Sequence, residues 1–274
     1  MNNPNREEQT RILRKVSYPL RPLVIIPTYN ERDNIPQLIP AIFRVNDRLH
    51  VLIIDDASPD RTVEEVLELK KKGCESRLHL QSRAGKLGLG SAYVLGFKWG
   101  LAKGYDFLIQ MDADWSHNPA DLSKMLEFAE TVDFVVGSRY VPGGGTQNWG
   151  AGRKLLSKFG GVYSRVVLRS DFADFTGGFN GWSDEVLQAI GLDAIRSDGY
   201  SFQIELKYRA DRLGYTHIEF PILFTERRAG RSKMSLAIAI EACWRVWKFR
   251  LDWRKFRQQK SVELTADFHG PSRI

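Results

Sequence analysis

The sequence predicts an α/β fold with a mostly parallel sheet flanked by helices. Short apolar runs alternate with helical patterns up to about residue 140, and polar clusters follow several of these runs. Strands that alternate with helices are typical of a parallel sheet covered on both faces. Because ligands bind beyond the carboxyl ends of the strands in such sheets, the polar clusters mark the candidate site.

Five apolar runs predict the strands, and four of the runs are rich in β-branched or aromatic residues. They lie at 23–27, 50–55, 78–81, 107–111 and 134–137. Helical patterns lie between them, at about 34–45, 62–72, 90–103 and 120–130. The third pattern is the clearest, since one helical face carries Ala92, Leu95, Gly96 and Trp99.

The composition is that of a globular protein in a reducing compartment. The 274 residues suffice for one large core or two modest ones, and two cysteines do not make a disulfide framework. The polar N-terminus lacks the apolar region of a secretory signal. The net charge of +7 fits a polyanionic partner, which could be nucleic acid, a membrane surface or a phosphorylated substrate.

Three polar clusters follow predicted strands: PTYNE, DDASPD and DADWSHN. In the last, Asp112 and Asp114 are two residues apart, so in an extended segment their side chains point the same way. Two carboxylates at the end of a strand suit a hard divalent cation such as Mg²⁺. A solvated turn is the alternative, because Asp, Ser, Asn and Pro are common turn residues. Three clusters at one sheet edge favour the binding site.

Other patterns are weaker. RAGKLGLGSA (83–92) lacks the residue order of a P-loop or a dinucleotide fingerprint. Its glycines form either a flexible helix entry or a phosphate site built from backbone N–H groups and Lys86. His117 could bind a metal, but we expect a single histidine beside a turn to be solvated. The other histidines are scattered without zinc-site spacing, and no G-x-S-x-G motif is present.

Seven segments occur in order between about residues 22 and 240: VIIPTYNERDNI, IIDDASPDRT, AGKLGLGSAYVLGF, DADWSHNP, VVGSRY, DFTGGFN and FTERRAGRSKMS. Together they resemble the family 2 glycosyltransferases, and most closely the polyprenol (dolichol) monophosphate mannose synthases. The resemblance implies a GT-A domain, which is a Rossmann-like nucleotide-sugar-binding α/β fold. It also implies transfer of mannose from GDP-mannose to a polyprenyl or dolichyl monophosphate.

The resemblance implies a Mg²⁺ or Mn²⁺ ion at the DxD motif, bound by Asp112 and Asp114. Ser116 stands where close relatives have a Gln that can complete the metal site. We count it as a shorter metal ligand, and a water can take the place of the Gln. The implied nucleotide contacts are Pro27, Tyr29, Glu31, Ile54, Asp56, Asp112 and Ala113. We add Lys86 to the nucleotide-binding set as the cation of the glycine-rich segment.

Basic residues complete the implied site. Arg227 and Lys233, in the pattern R-x-x-G-x-S-K, would face the diphosphate, and with Asp112 and Asp114 they form the expected catalytic set. The implied contacts to the acceptor phosphate are Arg139, Arg153 and Ser157. Positions 153 and 157 share a face if this segment is helical. Many relatives have Arg at the position of Asn180, so we carry over no phosphate contact there.

The expected chemistry follows from the charges. Displacing a nucleoside diphosphate from a sugar builds negative charge on the leaving phosphates, which a metal, Arg and Lys stabilise. A lipid monophosphate is already anionic, since its second pKa is about 6. It therefore needs no strong general base. We expect a single inverting displacement and assign no catalytic base.

The segment 236–260 is rich in Trp and in Lys and Arg. Its longest apolar run, 236–240, is far shorter than the roughly 20 residues that span a bilayer. Basic and aromatic residues interleaved in this way favour an amphipathic helix in the membrane interface. Packing on the catalytic domain is the alternative, and the two can hold for different faces.

We therefore expect a polar extension (1–20), a catalytic domain (21–233), an amphipathic helix (234–260) and a polar tail (261–274). The expected enzyme is peripheral on the cytoplasmic face of a membrane, where a separate membrane-anchoring subunit is a further partner to consider. One alternative is a UDP-glucose-dependent glycosyltransferase acting on a lipid phosphate or a polysaccharide. Another is a nucleic-acid-binding protein. Because no helix-turn-helix, RNA-recognition or zinc pattern is present, we expect no nucleic acid partner.

Overall fold

The computed structural model describes residues 21–74, 76–195, 197–225 and 244–253. Within these ranges the strands are β1 (Pro22–Thr28), β2 (His50–Asp55), β3 (Leu78–Ser82), β4 (Phe107–Gln110), β5 (Phe134–Ser138), β6 (Gly145–Gln147), β7 (Asn180–Ser183), β8 (His217–Pro221) and β9 (Leu223–Thr225). The helices are α1 (Ile35–Val45), α2 (Thr62–Leu69), α3 (Leu89–Ala102), α4 (Asp121–Ala129), α5 (Ala151–Leu168), α6 (Asp184–Ala189), α7 (Gly199–Arg212) and α8 (244–253).

Seven strands form the main sheet in the order β3-β2-β1-β4-β7-β5-β8. Neighbouring strands are parallel except that β7 runs antiparallel to both β4 and β5. Strands β6 and β9 pair separately as a short parallel ribbon. The predicted mostly parallel sheet flanked by helices is therefore confirmed. Each predicted strand and helix is present, with ends shifted by a few residues; α2 ends at Leu69 and continues as one π-helical turn.

The core lies on both faces of the sheet because side chains alternate along each strand. In β1, Leu23 and Ile25 join the cluster beneath α3, α6 and α7, whereas Val24 and Ile26 join the cluster beneath α1 and α4. All four are fully buried, and burying each such side chain contributes roughly 1.5–3 kcal/mol. The strands are thus fixed on both sides, and their carboxyl ends are held rigidly.

Helix α3 approaches the sheet closely through two glycines. A Cβ atom at Gly96 would lie 2.5 Å from Ile25 Cγ2, and one at Gly100 would lie 2.5 Å from Leu108 Cδ2. Any side chain there would push the helix away from β1 and β4. The predicted apolar face of this helix is wrong at Leu95, which is 37% exposed, because small residues make the contact with the sheet.

The sheet order creates a crevice between β1 and β4. Strands β2 and β3 lie on one side of β1 and β4 lies on the other, so the chain changes direction across the sheet at this point. Backbone hydrogen bonds tie the strand ends together: Asp56 N–H donates to Thr28, and Met111 N–H donates to Ile25. Ligands of open α/β sheets bind at such a point, which is where two of the predicted clusters meet.

A helix is present at 244–253, inside the predicted amphipathic segment; the flanking parts of that segment lie outside the described residues. One face of α8 packs on the core through Val246, Phe249 and Trp253. Its other face exposes Trp244, Trp247 and Leu251. The packing interpretation therefore applies to one face, and the membrane interpretation of the other stays a prediction. Across the described ranges, no helix has the length and apolarity needed to span a membrane.

Candidate functional site

Three non-glycine residues with left-handed backbone conformations follow the three strands that form the crevice. They are Asn30 after β1, Ala57 after β2 and Trp115 after β4, with φ of 62°, 55° and 62°. Each such residue costs on the order of 1–3 kcal/mol, and a bulky one such as Trp115 is a genuine outlier. Local bonds hold these loops, including the one from Asn30 N–H to Ser58 Oγ at 3.0 Å. Three of the six described non-glycine residues with positive φ therefore lie where the sequence predicts the site.

The two aspartates at the end of β2 have different roles. Asp55 is fully buried and accepts hydrogen bonds from Thr28 Oγ1 (2.9 Å) and from both the N–H and the hydroxyl of Ser58, so it ties the loops together. Asp56, a predicted nucleotide contact, accepts from Arg83 through Nε (2.5 Å) and Nη2 (2.6 Å). This bidentate, buried pair fixes the direction of the Asp56 carboxylate. Sequence reasoning missed Arg83, because its partner lies on another loop.

The glycine-rich segment does not offer the Gly90 N–H to a phosphate. That N–H donates to Asp198 Oδ1 at 2.6 Å, so an acidic side chain already occupies the first turn of α3. The interpretation that the backbone N–H groups of this segment bind phosphate is therefore wrong for Gly90. Lys86 lies instead with its Nζ 4.1 Å from the ring centroid of Tyr29, which places two predicted nucleotide contacts side by side. The nucleotide role of Lys86 stays a prediction.

The loop after β4 carries the predicted metal ligands. Asp114 Oδ1 accepts from Ser116 N–H at 3.1 Å, which turns the loop back on itself. The Ser116 hydroxyl is buried and has no hydrogen-bond partner among the described residues. An unpartnered buried oxygen in the same loop as Asp112 and Asp114 fits a hard cation that takes oxygen ligands. In the described part of the chain no cluster of three His, Cys, Asp or Glu side chains occurs, so the substrate would have to complete the coordination.

Two buried side chains support this loop from behind. The Tyr93 hydroxyl contacts Asp112 and the Met111 carbonyl, and burial, with the charges of Asp112 and Asp114, raises the Tyr93 pKa well above its ordinary value. His117 Nδ1 accepts from Asp112 N–H at 3.2 Å. The expectation of a solvated histidine is wrong, since His117 is 2% exposed and burial lowers its pKa despite the nearby carboxylates. His117 is therefore a neutral support of the loop.

Arg139, a predicted acceptor contact, is buried and not a surface charge. Its Nε and Nη2 each donate to the Asp174 carboxylate at 2.7 Å, and Nη2 also donates to Thr176 Oγ1 at 2.8 Å. Burial alone would raise the Asp174 pKa, but the Arg139 charge and hydrogen bonds hold it well below its usual range. The guanidinium group is thus oriented by a fixed carboxylate that sequence reasoning did not single out.

Arg139 and Ser157 belong to one polar cluster. Tyr140 follows Arg139 in the chain, and its hydroxyl donates to Ser157 Oγ on α5 at 2.7 Å. Ser157 is buried, and burial raises the Tyr140 pKa. Position 153 lies one turn before Ser157 in α5, but the Arg153 side chain lies outside the described part of the structure. Two of the three predicted acceptor contacts are therefore brought together.

Strand β9 joins the metal loop to the Arg139 cluster. The Phe224 ring lies 5.3 Å from the His117 ring and 5.7 Å from Arg139 Cζ. The neighbouring Thr225 N–H donates to the Ser116 carbonyl at 3.2 Å. The predicted diphosphate contacts Arg227 and Lys233 lie outside the described residues, in the segment that follows Thr225.

Asn180 has a structural setting. It is fully buried in β7, and its Nδ2 lies within hydrogen-bond distance of Gln110 Oε1 (3.1 Å), Gly177 O (3.0 Å) and Gln203 Oε1 (3.0 Å). An amide that supports three neighbours belongs to the scaffold behind the site. This agrees with carrying over no phosphate contact to Asn180.

Comparison of the sequence with known proteins identifies relatives over most of the chain. The model of the family "Glycosyl transferase family 2" matches residues 23–191. A polyprenol monophosphomannose synthase from Mycolicibacterium smegmatis is 45% identical over 233 residues, covering 84% of this chain and 88% of that protein. An undecaprenyl-phosphate mannosyltransferase from Micrococcus luteus is 42% identical over 240 residues, covering 87% and 98% respectively.

Solved structures share the fold at low sequence identity. A mannosyltransferase from Pyrobaculum calidifontis, in complex with GDP-Man and Mn²⁺, is 20% identical, with a TM-score of 0.55 over 79% of this chain and 59% of that one. A glucosyl-3-phosphoglycerate synthase from Mycobacterium tuberculosis, in complex with Mn²⁺, UDP and phosphoglyceric acid, is 19% identical, with a TM-score of 0.59 over 85% and 78%. The GT-A-like α/β architecture expected from the sequence is thus confirmed.

Proposed function

Because this chain belongs to glycosyl transferase family 2, we propose that it transfers mannose from GDP-mannose to a polyprenyl monophosphate, a class that includes dolichyl phosphate. The observation that carries the proposal is the match to two bacterial relatives at 45% and 42% identity, both named as enzymes of mannose and polyprenyl phosphate chemistry. The architecture shared with a mannosyltransferase bound to GDP-Man supports the choice of donor.

The donor side of the site would lie along the ends of β1, β2 and β4. Tyr29 and Lys86 adjoin each other, and Asp56 is held in one direction by Arg83. Asp112, Asp114 and Ser116 would hold Mg²⁺ or Mn²⁺, and the unpartnered Ser116 hydroxyl supports this choice. When bound, the ion would supply positive charge to the leaving diphosphate. Arg227 and Lys233 would add charge from the segment that follows Thr225.

The acceptor side would lie at Arg139, Arg153 and Ser157. A guanidinium group oriented by Asp174 can donate to a phosphate oxygen without first losing conformational freedom. The nucleophile is an anionic phosphate oxygen, so these residues need only bind and aim it. No base is required. This agrees with His117, the histidine nearest Asp112, being used as a backbone acceptor.

Exposed apolar residues on two adjacent helices support docking on a membrane surface. Along one face of α5, the helix that carries Ser157, these residues are Leu155, Phe159, Val162 and Val166. Helix α8 adjoins the end of α5 through a hydrogen bond from Arg250 Nη1 to Val167 O at 2.8 Å, and it exposes Trp244, Trp247 and Leu251. Apolar and aromatic side chains beside basic ones suit a lipid interface. We propose a peripheral location on the cytoplasmic face of a membrane.

One assay tests the donor and the acceptor together. The full-length protein would be incubated with Mg²⁺ or Mn²⁺, a polyprenyl phosphate and either labelled GDP-mannose or labelled UDP-glucose. We expect labelled lipid from GDP-mannose only, and none when the metal is removed by EDTA. Labelled lipid from UDP-glucose alone would support the glucosyltransferase alternative. Absence of product with both donors would refute transfer to a lipid phosphate.

A further inference from the structure

A short loop behind Arg139 is held by an unusually complete set of buried hydrogen bonds. This segment, residues 173–177, is called the Asp174 loop below. The Glu219 carboxylate on β8 accepts from Ala173 N–H (2.6 Å) and Asp174 N–H (2.9 Å). Asp174 Oδ1 in turn accepts from Thr176 N–H (3.2 Å) and Gly177 N–H (2.9 Å). Four of the five N–H groups of the loop therefore donate to two carboxylates.

Three carbonyl groups of the same loop accept hydrogen bonds from one lysine. Lys207, in the middle of α7, is fully buried. Its Nζ donates to the carbonyls of Asp174 (2.8 Å) and Gly177 (3.0 Å), with Phe175 at 3.4 Å. An ammonium group has three N–H donors, and three carbonyls surround this one. Helix α7 thus clamps the loop through its carbonyl groups, whereas Glu219 holds two of its N–H groups.

The clamp connects two halves of the site. The Gly177 carbonyl that accepts from Lys207 also accepts from Asn180 Nδ2, which lies 3.1 Å from Gln110 Oε1. Gln110 ends β4, just before the loop of Asp112. On the other side, the Asp174 carboxylate holds Arg139. Lys207 therefore lies in a buried network between the predicted metal loop and the predicted acceptor arginine.

We propose that Lys207 is a positioning residue for transfer to the acceptor: by holding the Asp174 loop in place, its ammonium group fixes the Arg139 guanidinium for the acceptor phosphate. The proposal rests on the acceptor role assigned to Arg139 in the proposed function. Lys207 itself touches backbone carbonyls and acts on the acceptor only through Asp174 and Arg139.

The proposal predicts a dependence on pH. The Lys207 pKa is lowered to about 8, chiefly by burial and also by the positive charge of Arg139. The negative charges of Asp174 and Glu219 oppose this shift. Below that pH the lysine is charged and can donate to all three carbonyls. Above it the neutral amine has two N–H donors, so one hydrogen bond of the clamp is lost. Acceptor use should fall over this range, whereas nucleotide binding should not.

The first test uses the wild-type protein. The kcat/KM for polyprenyl phosphate would be measured from about pH 6.5 to pH 9.5, and GDP affinity would be measured over the same range by calorimetry. We expect acceptor kcat/KM to fall around pH 8 while GDP affinity stays within about twofold. A flat acceptor profile, or a parallel loss of GDP affinity, would overturn the proposal without any variant.

The second test uses Lys207→Met, with Lys207→Arg as the conservative variant and Lys71→Met, an exposed lysine paired to Glu68, as the matched control. At about pH 7, Lys207→Met should lower acceptor kcat/KM about 10- to 100-fold, the usual effect of losing a charge-assisted hydrogen bond, and should remove the alkaline fall. Lys207→Arg should retain more activity, and Lys71→Met should match wild type. Equal losses in acceptor use and GDP affinity would refute positioning.

A third readout does not depend on activity. Hydrogen exchange of peptides covering 172–178 should rise in Lys207→Met, because the amides of Thr176 and Gly177 are held by the clamped loop. Unchanged exchange would refute the inference. If the wild-type protein transfers no mannose but Lys207→Met still raises hydrogen exchange in this loop, the proposed function is refuted. The structural role of Lys207 in holding the loop is then still supported. The two failures are therefore distinguishable.

Discussion

Replacing Asp174 by Asn should cost the protein much of its stability. The wild-type carboxylate accepts hydrogen bonds from Arg139 N, Nε and Nη2 and from the N–H groups of Thr176 and Gly177. An Asn side chain has a single acceptor oxygen, and its NH₂ group would face donors. Arg139, with a side chain only 4% exposed, would keep its charge but lose this counter-ion.

Removing one member of a buried ion pair costs about 3–5 kcal/mol, because the remaining charge stays desolvated. A typical domain has a free energy of unfolding of roughly 5–15 kcal/mol in total. A loss of this size should therefore bring Asp174→Asn close to unfolding at moderate temperature. The Asp174 pKa lies below its reference value of 3.8, so the contribution is fully present above that pH. The contribution is lost as the pH falls through the folded-state pKa. The stability loss in the variant should therefore be constant from about pH 5 to about pH 7, below the range in which Lys207 titrates.

Urea unfolding followed by far-ultraviolet circular dichroism measures this loss. The matched control is Asp193→Asn, whose carboxylate is 89% exposed and pairs with Lys98 at the surface. Exposed pairs contribute about 0–1 kcal/mol, so the control should behave like wild type. A loss below about 1 kcal/mol in Asp174→Asn, or one equal to that of the control, would refute the view that this pair holds Arg139.

Four further outcomes are expected. Asp112→Asn and Asp114→Asn should each abolish transfer in a protein that still unfolds cooperatively, because each removes a carboxylate from the metal loop. Arg153→Ala should reduce acceptor kcat/KM roughly 10- to 100-fold and leave GDP affinity intact in calorimetry. Trp247→Ser should weaken cosedimentation with anionic liposomes without loss of stability, since this side chain is on the exposed face of α8. The free energy of unfolding should fall as the pH is lowered from about 6.5 to about 4. Burial lowers the His79 pKa from 6.5 to about 4, so the unfolded chain takes up the proton at a higher pH than the folded protein does.

Each of these outcomes has a contrary result. Full activity in either Asp variant would remove the metal assignment, and loss of GDP binding in Arg153→Ala would move that residue to the donor side. Liposome binding by the intact protein that does not respond to salt, or that Trp247→Ser leaves unchanged, would place the docking surface elsewhere. A His79→Phe variant that keeps the whole pH dependence would assign the proton uptake to other groups.

Individual strands of the sheet could be predicted from the local sequence only where they are apolar. Strands β1 to β5 each show an apolar run, but β7 reads NGWS and gives no such signal. It is identified as a strand only by its pairing with β4 and β5. The helical face predicted at Leu95 was wrong for a similar reason, since close packing on the sheet selects glycine at Gly96.

The candidate site was predictable where motifs carry it, and not where distant side chains meet. The DxD residues follow directly from a short motif. The pairing of Asp56 with Arg83 and that of Arg139 with Asp174 join separate loops, so no local pattern reveals them. His117 was expected in solvent because its burial depends on Phe179 and Phe224, which come much later in the chain.

The position of β7 has a consequence for how the chain folds during synthesis. Strands β1 to β4 can pair as soon as they have been made, but β5 meets the rest of the sheet only through β7. A nascent chain that ends before Asn180 therefore leaves unpaired the edges of β4 and β5 that β7 later covers, and open edges invite pairing with other chains. Fragments that end between α5 and β7 should aggregate. Fragments that extend past Ser183 contain β7, which can pair with both β4 and β5. Pairing with β7 thus joins β5 to the rest of the sheet and covers both of these edges, while the other edge of β5 is covered only when β8 has been made.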